Sequence, residues 1–399
     1  MYKKILIYIE EDLIKPIGGQ SGYIYNLKSE IDRRGLDNIS VIKNYKSIRN
    51  NIKNVKNGTI KKLVFIVGRT LNYYRVLNGK KHYSKVDLNE YEMVHFHNVK
   101  DLYEAQDSLL DYKGIVILTS HSPKPFTLEI YEEMLTKFER KVFNKMYKKL
   151  INIENYAFNR ADYIIFPCPE AEEPYYNNWN EYKEIKEKNK YKYKYLLTGT
   201  KECIAKKTGK EVREEYNIPE NAFIISYVGR HNSTKGYDTL KKIAEEILKR
   251  NKDVYFLIAG KEEPLQGLNN KRWIEVGWTN DPHSIISASD FFILPNKETY
   301  FDLVMLEVLS LGKIVVASKT GGNKYFEKFK SDGILLYDGI KEAIEKIEKI
   351  IKTSKDDRKK LEIENKKIFN KYFNNKVFCD NYLKLLEEID NESRNKGEY

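Results

Sequence analysis

Cysteine is scarce in this sequence. The chain has 399 residues and only three cysteines, Cys168, Cys203 and Cys379, which are far apart and odd in number. Such spacing provides neither a disulfide framework nor the ligand pairs of a structural zinc site. The small number of cysteines therefore fits a reducing compartment, where disulfides are rare.

Long apolar runs are also missing. No window approaches the roughly 18 apolar residues that a membrane-spanning helix needs. The apolar run at residues 5–9 is too short for a signal peptide, and no internal repeat is evident. We therefore expect a cytoplasmic protein, for which any membrane contact would be peripheral, at the inner face.

The charge balance is basic, with 70 Lys and Arg against 58 Asp and Glu, a net charge of +12. An excess of this kind suggests an anionic partner, or it reflects a composition biased toward Lys, Asn, Ile and Tyr. The lysines are dispersed and no known nucleic-acid-binding pattern is present, so we expect no nucleic-acid partner. Residues 137–149 combine basic and aromatic residues at helical spacing, which suits either an anionic membrane surface or core packing with solvated lysines.

Apolar strands alternate with helical stretches along the whole chain, which predicts an α/β fold with mostly parallel sheets. The length is sufficient for two domains. A helical pattern covers residues 126–158, and residues 161–167 read as the last strand of the first domain. The charged, Tyr-rich run at 170–194 is typical of a lid or linker. The predicted strands are 5–9, 40–42, 63–67, 93–97, 114–119 and 161–167, then 223–228, 254–259, 273–276, 291–294, 313–317 and 334–337.

The stretch from residue 294 to 323 organises the second half of the chain. A helix with an apolar face ends at Gly312, and a β-branched strand and the Gly321-Gly322 loop follow. Loops at the carboxyl ends of parallel strands form the ligand crevice of such sheets. Glu307 lies beside the apolar face, so its carboxylate needs donors, which sugar hydroxyls would supply. The alternative is an ordinary half-exposed glutamate.

A second motif lies between the strand at 223–228 and the next helix. Arg230 follows Gly229, and Lys235 with Gly236 comes five residues later. An Arg presents a planar fork to phosphate oxygens and a Lys presents a mobile point charge. The spacing therefore indicates an anion-binding loop, or else a basic surface loop.

The first half offers a glycine-containing loop and three histidines. The loop at 15–22, which includes Gly19, precedes a helix predicted at 23–34 and resembles an anion-binding turn, although it is not GxGxxG. His95 and His97 end one strand and His121 ends the next. A zinc site needs further ligands at suitable spacing, so we expect no metal site, and we expect His95 to be structural, with backbone partners.

Together these segments resemble the retaining glycosyltransferases of family four, which have the GT-B fold. The family pattern of Gly-Arg, four residues and Lys-Gly is intact at 229–236. Glu307 matches the second Glu of the family's paired-glutamate motif. Thr299 stands where the first Glu belongs, with Glu298 one residue off, and Asp302 stands where the family usually has Gly.

The resemblance implies two Rossmann-like domains whose parallel sheets face a central cleft, with the C-terminal helix crossing back. Residues 1–200 with 376–399 would form the acceptor side and residues 201–375 the donor side. The implied reaction moves a hexosyl group from a nucleoside diphosphate sugar, expected to be a UDP-sugar, to a hydroxyl of a cell-surface glycan, glycolipid or protein. No cofactor or metal is required if Arg230 and Lys235 carry the charge of the leaving group.

The resemblance also implies the site residues. Arg230 and Lys235 would neutralise the diphosphate, His121 would contact the donor sugar, and Glu307 would bind the ribose. The remaining donor-binding candidates are Gly19, Thr299, Asp302, Leu303, Gly321 and Gly322. Because Thr299 replaces a carboxylate, a non-catalytic partner of a related glycosyltransferase is the alternative function.

Overall fold

The computed structural model describes residues 3–9, 14, 16, 19–42, 68, 71, 84 and 86–397. The strand predicted at 63–67 lies outside the described residues. The chain divides into two compact units. The first contains Met1–Phe166, Tyr175–Leu196 and Leu383–Tyr399, and the second contains Pro167–Pro174 and Leu197–Tyr382. The domain limits expected from the sequence, at residues 200 and 376, stay a prediction.

The first unit contains a six-stranded parallel sheet in the order β2-β1-β3-β4-β5-β6. Its strands are apolar and their side chains largely buried, as expected for a sheet covered on both faces. The strands are β1 Ile5–Tyr8, β2 Ile39–Val41, β3 Met93–Phe96, β4 Ile115–Leu118, β5 Tyr163–Phe166 and β6 Tyr193–Tyr195. The main helices are Gly19–Arg34, Val99–Glu104, Lys137–Val142, Met146–Arg160 and Tyr182–Lys188.

Two sequence predictions for this half were wrong. The run at 170–194 is not a lid or linker, because it forms the helices Glu173–Asn178 and Tyr182–Lys188 and leads into β6. Tyr175 and Tyr182 are fully buried, so these two tyrosines belong to the core. The strand at 161–167 is consequently not the last of its sheet, since β6 pairs with β5.

The helical pattern at 126–158 is interrupted in the structure. Short helical turns cover Phe126–Leu128 and Glu129–Met134, and two α-helices follow at Lys137–Val142 and Met146–Arg160. The first of these α-helices begins with a capping box in which Thr136 and Glu139 bond reciprocally.

The second unit also contains a six-stranded parallel sheet, in the order β12-β11-β10-β7-β8-β9. The strands are β7 Phe223–Val228, β8 Val254–Ala259, β9 Trp273–Gly277, β10 Phe291–Leu294, β11 Ile314–Ser318 and β12 Ile334–Tyr337. β7 and β10 are neighbours, while the chain runs outward from them in opposite directions. Such a switch point is where ligands bind in open α/β sheets.

Helices cover the second sheet. They are Gly209–Glu215, Tyr237–Arg250, Pro282–Ala288, Leu303–Ser310, Gly339–Lys352 and Lys355–Tyr372. Tyr237–Arg250 and Gly339–Lys352 bury apolar faces in the main core with β7, β8 and β10. Gly312 follows the helix Leu303–Ser310 at φ +71°, which confirms its predicted role as the glycine that ends this helix.

The last helix, Asn375–Gly397, contributes its residues up to Tyr382 to the second unit and the rest to the first. Within the described part of the chain, every helix is too short or too polar to cross a membrane.

Candidate active site

The candidate site is built on two loops that follow the neighbouring strands β7 and β10. The backbone N–H of Lys297 donates to the carbonyl of Thr234, with a nitrogen–oxygen distance of 3.0 Å. Gly236 has φ +66°, and a Cβ there would lie 1.6 Å from the carbonyl oxygen of Pro295. Only glycine allows this approach, so Gly236 lets the two loops pack together.

A third loop, after β11, packs on the second one. Gly321 has φ +45°, and an added Cβ would lie 2.0 Å from the carbonyl oxygen of Thr299. A Cβ on Gly322 would lie 2.1 Å from the carbonyl oxygen of Tyr300. The pair was expected in an open loop, but Gly321 begins the 3₁₀-helix Gly321–Phe329. Close backbone packing therefore requires both glycines, and their contact with a donor stays a prediction.

Arg230 is exposed at the tip of the first loop. Its carbonyl accepts a hydrogen bond of 2.9 Å from the buried hydroxyl of Tyr227, which fixes the backbone. Its guanidinium forms no ion pair or hydrogen bond with the residues described. A positioned backbone with an uncommitted guanidinium is suited to binding an anion.

Lys235 is already committed to a carboxylate. Its backbone N–H donates to the side chain of Asn232 at 2.9 Å, which shapes the loop. Its ammonium forms an ion pair with Asp302. Asn296 also donates to Asp302, at 2.7 Å. Lys235 and Asp302 were both predicted to belong to one site, but their pairing with each other was not predicted.

Asp302 has a second role, because it caps the helix Leu303–Ser310 by accepting from the N–H of Val304. Burial favours the protonated carboxyl, but the charge of Lys235 and the donors around it hold the pKa of Asp302 below its ordinary value. Asp302 is therefore a carboxylate. It occupies the lysine and the helix N-terminus, two groups that attract a phosphate.

Glu307 lies one helical turn further on, with its side chain 24% exposed. Its Oε2 lies 3.8 Å from Nε2 of His283, and its carboxyl makes no closer polar contact with the described residues. Burial, helped by the negative charge of Asp302, raises the pKa of Glu307 to about 7. Burial lowers the pKa of His283, so a charged pair is not favoured at neutral pH. Glu307 thus keeps its hydrogen-bonding capacity for another partner.

Thr299 and Leu303 lie close in sequence to Asp302, on either side of it. Thr299 is 2% exposed, and its carbonyl accepts from Gly322 at 3.3 Å. Leu303 is half-buried at the first position of the helix. His283 was missed by the sequence analysis, since it comes from the separate helix Pro282–Ala288 and no motif surrounds it.

The three histidines of the first unit lie together. Nδ1 of His97 lies 2.8 Å from Nε2 of His121, and Nε2 of His95 lies 2.8 Å from the hydroxyl of Thr119. His95 therefore bonds a side chain at this nitrogen, where backbone partners were expected. Burial lowers the pKa of all three histidines, to about 3 for His95 and His121, so the cluster is uncharged at neutral pH. His121 has φ +58°, a conformation uncommon outside glycine.

Gly19 belongs to this unit as well. The helix predicted to begin at Tyr23 begins at Gly19, so the loop assignment for residues 19–22 was wrong. No atom lies within 4 Å of a Cβ added to Gly19, so packing does not require a glycine there. Among the residues that the structure describes, no group of three or more His, Cys, Asp or Glu side chains could hold a metal ion.

Comparison with protein families finds two matches. The model described as glycosyl transferases group 1 matches residues 209–368, and the model described as glycosyltransferase family 4 matches residues 17–179. Together they cover more than half of the chain and include the Arg230 loop, Glu307 and the histidine cluster.

Two curated proteins illustrate the sequence similarity. An Escherichia coli UDP-Gal:alpha-D-GlcNAc-diphosphoundecaprenol alpha-1,3-galactosyltransferase is 31% identical over 130 residues, which are 30% of this chain and 34% of that protein. The lipopolysaccharide core biosynthesis glycosyltransferase LpsE of Rhizobium meliloti (strain 1021) is 24% identical over 182 residues, 44% of this chain and 52% of its own. The alignments thus span about a third to a half of these relatives.

Solved structures match over nearly the whole chain. Anabaena HepE, solved with UDP and glucose, aligns with a TM-score of 0.59 at 14% identity, covering 97% of this chain and 100% of its own. Sucrose-phosphate synthase from Thermosynechococcus elongatus aligns with a TM-score of 0.62 at 17% identity, covering 97% and 99%. These neighbours confirm the predicted fold, GT-B with two parallel α/β sheets.

Proposed function

Because this chain belongs to the glycosyltransferases of group 1, in family four, we propose that it transfers a hexosyl group from a nucleoside diphosphate sugar. The acceptor would be a hydroxyl of a glycan, a lipid-linked glycan or a protein, and the anomeric configuration would be retained. UDP is the proposed nucleotide, since HepE binds UDP and the E. coli relative is named for a UDP-sugar.

The arrangement of the β7 and β10 loops carries this proposal. It joins an uncommitted guanidinium, a lysine and a carboxyl with spare hydrogen-bonding capacity at the switch point of one sheet. Arg230 and Lys235 would balance the charge that develops on the leaving diphosphate, so that no metal is required. Glu307 would accept hydrogen bonds from the ribose hydroxyls, for which its carboxyl oxygens are suited.

The remaining candidate residues are Leu303, Gly321, Gly322, Thr299, His121 and Gly19. Leu303, Gly321 and Gly322 border the proposed donor site, and Thr299 contributes its backbone to the packing there. His121 is uncharged, so any contact with a donor sugar would be a neutral hydrogen bond rather than an ion pair. The roles of His121 and Gly19 toward the donor stay predictions.

A thermal-shift screen over nucleoside diphosphates and their sugars tests the donor. We expect UDP and at least one UDP-sugar to raise the melting temperature, and Arg230→Ala to lower turnover by about 10²-fold, the scale of losing one preorganised charge contact. Lys242→Ala, an exposed lysine on the helix Tyr237–Arg250, is the matched control and should leave turnover unchanged. Turnover of Arg230→Ala within threefold of wild type would contradict the assignment.

Two observations favour a second candidate, a non-catalytic partner of a related enzyme. Lys235 is neutralised by Asp302, and Thr299 offers no carboxylate to a sugar. A chain of this kind would bind no donor, or would bind it without turnover. Calorimetric titration with UDP-sugars, followed by detection of released UDP in the presence of acceptor extracts, separates the two functions.

A further inference from the structure

A buried histidine follows Arg230 in the loop after β7. His231 is 0% exposed, whereas its neighbour Arg230 is exposed. The His231 ring stacks on Tyr237, with 4.0 Å between the ring centroids and 10° between the ring planes. A Cβ added to Gly260, the residue after β8, would lie 2.8 Å from Nε2 of His231, so the ring also packs against the end of that strand. The side chain that anchors the Arg230 loop in the second unit is therefore an imidazole.

This imidazole has no hydrogen-bond partner among the described residues. Both of its ring nitrogens are buried, and neither bonds to any of them. A buried polar atom without a partner lowers stability, and such atoms are rare in folded proteins. A phenylalanine would stack on Tyr237 in the same space without this cost. Packing alone therefore does not account for a histidine at position 231.

A carboxylate oxygen without a partner lies close to this ring. Glu275, on β9, accepts at Oε1 from the hydroxyl of Tyr237 and from Nε1 of Trp273, the latter at 2.7 Å. Its other oxygen, Oε2, is buried and makes no hydrogen bond with the described part of the chain. Oε2 lies 3.9 Å from Nε2 of His231, about 1 Å longer than a hydrogen bond. A small shift of the loop would thus give both groups a partner.

The ring can act as the donor in such a bond. Burial lowers the pKa of His231, so the imidazole is neutral at neutral pH and one of its nitrogens carries a hydrogen. Because neither nitrogen is bonded to a described residue, the tautomer with the hydrogen on Nε2 is available. Oε2 of Glu275 is the acceptor that this hydrogen would meet.

We propose that His231 is a positioning residue for Arg230, and that it acts through a hydrogen bond to Glu275 that forms when the loop holds a diphosphate. The inference rests on the proposed function, which assigns the diphosphate to Arg230. Active-site hydrogen bonds are often long in the free enzyme and tighten only in the complex. The hydroxyl of Tyr227 already fixes the carbonyl of Arg230 at 2.9 Å. A second bond one residue later, from His231 to β9, fixes the backbone that orients the guanidinium.

Two substitutions separate the hydrogen bond from the packing. His231→Phe keeps the stacking on Tyr237 and removes both nitrogens, so it should be at least as stable as wild type in a urea titration. The same variant should bind UDP about tenfold or more weakly, the scale of one hydrogen bond to a charged group. Its affinity for uridine, which lacks the diphosphate, should be unchanged.

His231→Gln makes the opposite change. It loses the ring stacking but places an amide N–H near the position of Nε2, so it should be less stable than wild type while binding UDP within about threefold. A purely structural role of His231 predicts the reverse order, because UDP affinity would then follow stability. The two variants together therefore distinguish a positioning role from a packing role.

Tyr337 supplies the matched control. Its hydroxyl is buried and without a hydrogen-bond partner in the described part of the chain, and it belongs to the main core that also contains Tyr237. It lies on β12, which two strands separate from β7. Tyr337→Phe thus removes an unpartnered polar atom from the same core but leaves the Arg230 loop unchanged. It should be at least as stable as wild type and bind UDP within about twofold.

A structure with UDP bound measures the closure directly. We expect about 2.9 Å between Nε2 of His231 and Oε2 of Glu275 in that complex. A distance that stays at 3.9 Å would overturn the proposal. Folded His231→Phe with the UDP affinity of wild type would overturn it too, as would a His231→Gln variant that loses as much affinity as His231→Phe.

Arg230→Ala in the same calorimetric titration separates this inference from the proposed function. If Arg230→Ala weakens UDP binding and His231→Phe does not, the positioning role of His231 alone is wrong. If neither variant weakens it, the diphosphate does not contact Arg230, and both the assignment of Arg230 and the role of His231 fail.

Discussion

Asp302→Asn is the substitution that tests the candidate site most sharply. Asp302 pairs with Lys235 and caps the helix Leu303–Ser310, the two features that a diphosphate would use. Replacing its carboxylate by an amide keeps an oxygen that can cap the helix, but it removes the negative charge. We therefore expect the variant to bind UDP more tightly than the wild type.

The magnitude follows from the geometry. Two oxygens bonded to one ammonium group lie roughly 5 Å apart, so the repulsion between Asp302 and a phosphate charge is about 3 kcal/mol at an effective dielectric constant of about 20. The side chains of Lys235 and Asp302 are 25% and 12% exposed, so some screening by solvent applies. With half of the repulsion screened, about 1.5 kcal/mol remains, which corresponds to roughly tenfold in affinity.

Isothermal titration with uridine, UDP and a UDP-sugar measures the effect. Uridine should bind equally to both proteins, because it lacks phosphate. Asp238→Asn is the matched control, since Asp238 also pairs with a lysine of the neighbouring loop, Lys297, and its loss changes the net charge equally. We expect this control to bind UDP within about twofold of wild type.

One result would refute the reasoning, and a second would assign a further role to Asp302. Unchanged or weaker UDP binding by folded Asp302→Asn would mean that the carboxylate does not compete with phosphate. Tighter UDP but weaker UDP-sugar binding would mean that Asp302 also contacts the sugar, which would agree with its prediction as a donor-binding residue. The use of three ligands keeps these outcomes distinct.

The remaining predictions concern Glu307 and Gly236. The folded-state pKa of Glu307 is raised from 4.5 to about 7, so the stability that its protonated form provides is present below pH 4.5 and lost as pH rises through about 7. Glu307→Gln should therefore show a smaller fall in melting temperature over this pH window than wild type, and an unchanged pH dependence would contradict the assigned pKa. The same variant should bind UDP about tenfold more weakly, because a ribose hydroxyl loses its charged acceptor. Gly236→Ala should lower the free energy of unfolding by more than about 2 kcal/mol, because its Cβ would lie 1.6 Å from the Pro295 carbonyl oxygen. Gly19→Ala, which has no atom within 4 Å of its added Cβ, is the matched control in the same urea titration, and equal stability of the two variants would contradict this account.

Strand positions in the second unit were predictable from the sequence alone. The bounds of β7, β8, β10 and β12 agree with the predicted ranges, because a strand buried on both faces requires an uninterrupted apolar run. The Arg230 motif was visible for a similar reason, since a loop between a strand and a helix keeps its residues close in sequence. The role of Gly312 at the end of its helix was predictable, because a helix end of this type requires a residue with positive φ.

Predictions failed where burial depends on partners distant in sequence. The run at 170–194 is rich in charge, yet Tyr175 and Tyr182 are buried because other elements of the first unit cover them. The N-terminus of the first helix was misplaced because glycines before Tyr23 suggested a loop, whereas the helix begins at Gly19. Local composition contains no information about which surface will cover a side chain.

The sequence by itself determined which residues are candidates for the site, since the motif around Arg230 and Lys235 and the position of Glu307 are local patterns. Only the tertiary structure decided which other side chains these groups contact. Lys235 and Asp302 are 67 positions apart, and their ion pair exists because β7 and β10 are neighbours in the sheet. His283 approaches Glu307 from a separate helix, Pro282–Ala288. Whether a lysine is free or neutralised depends on which strand ends meet, and strand order is a property of the folded sheet rather than of any local pattern.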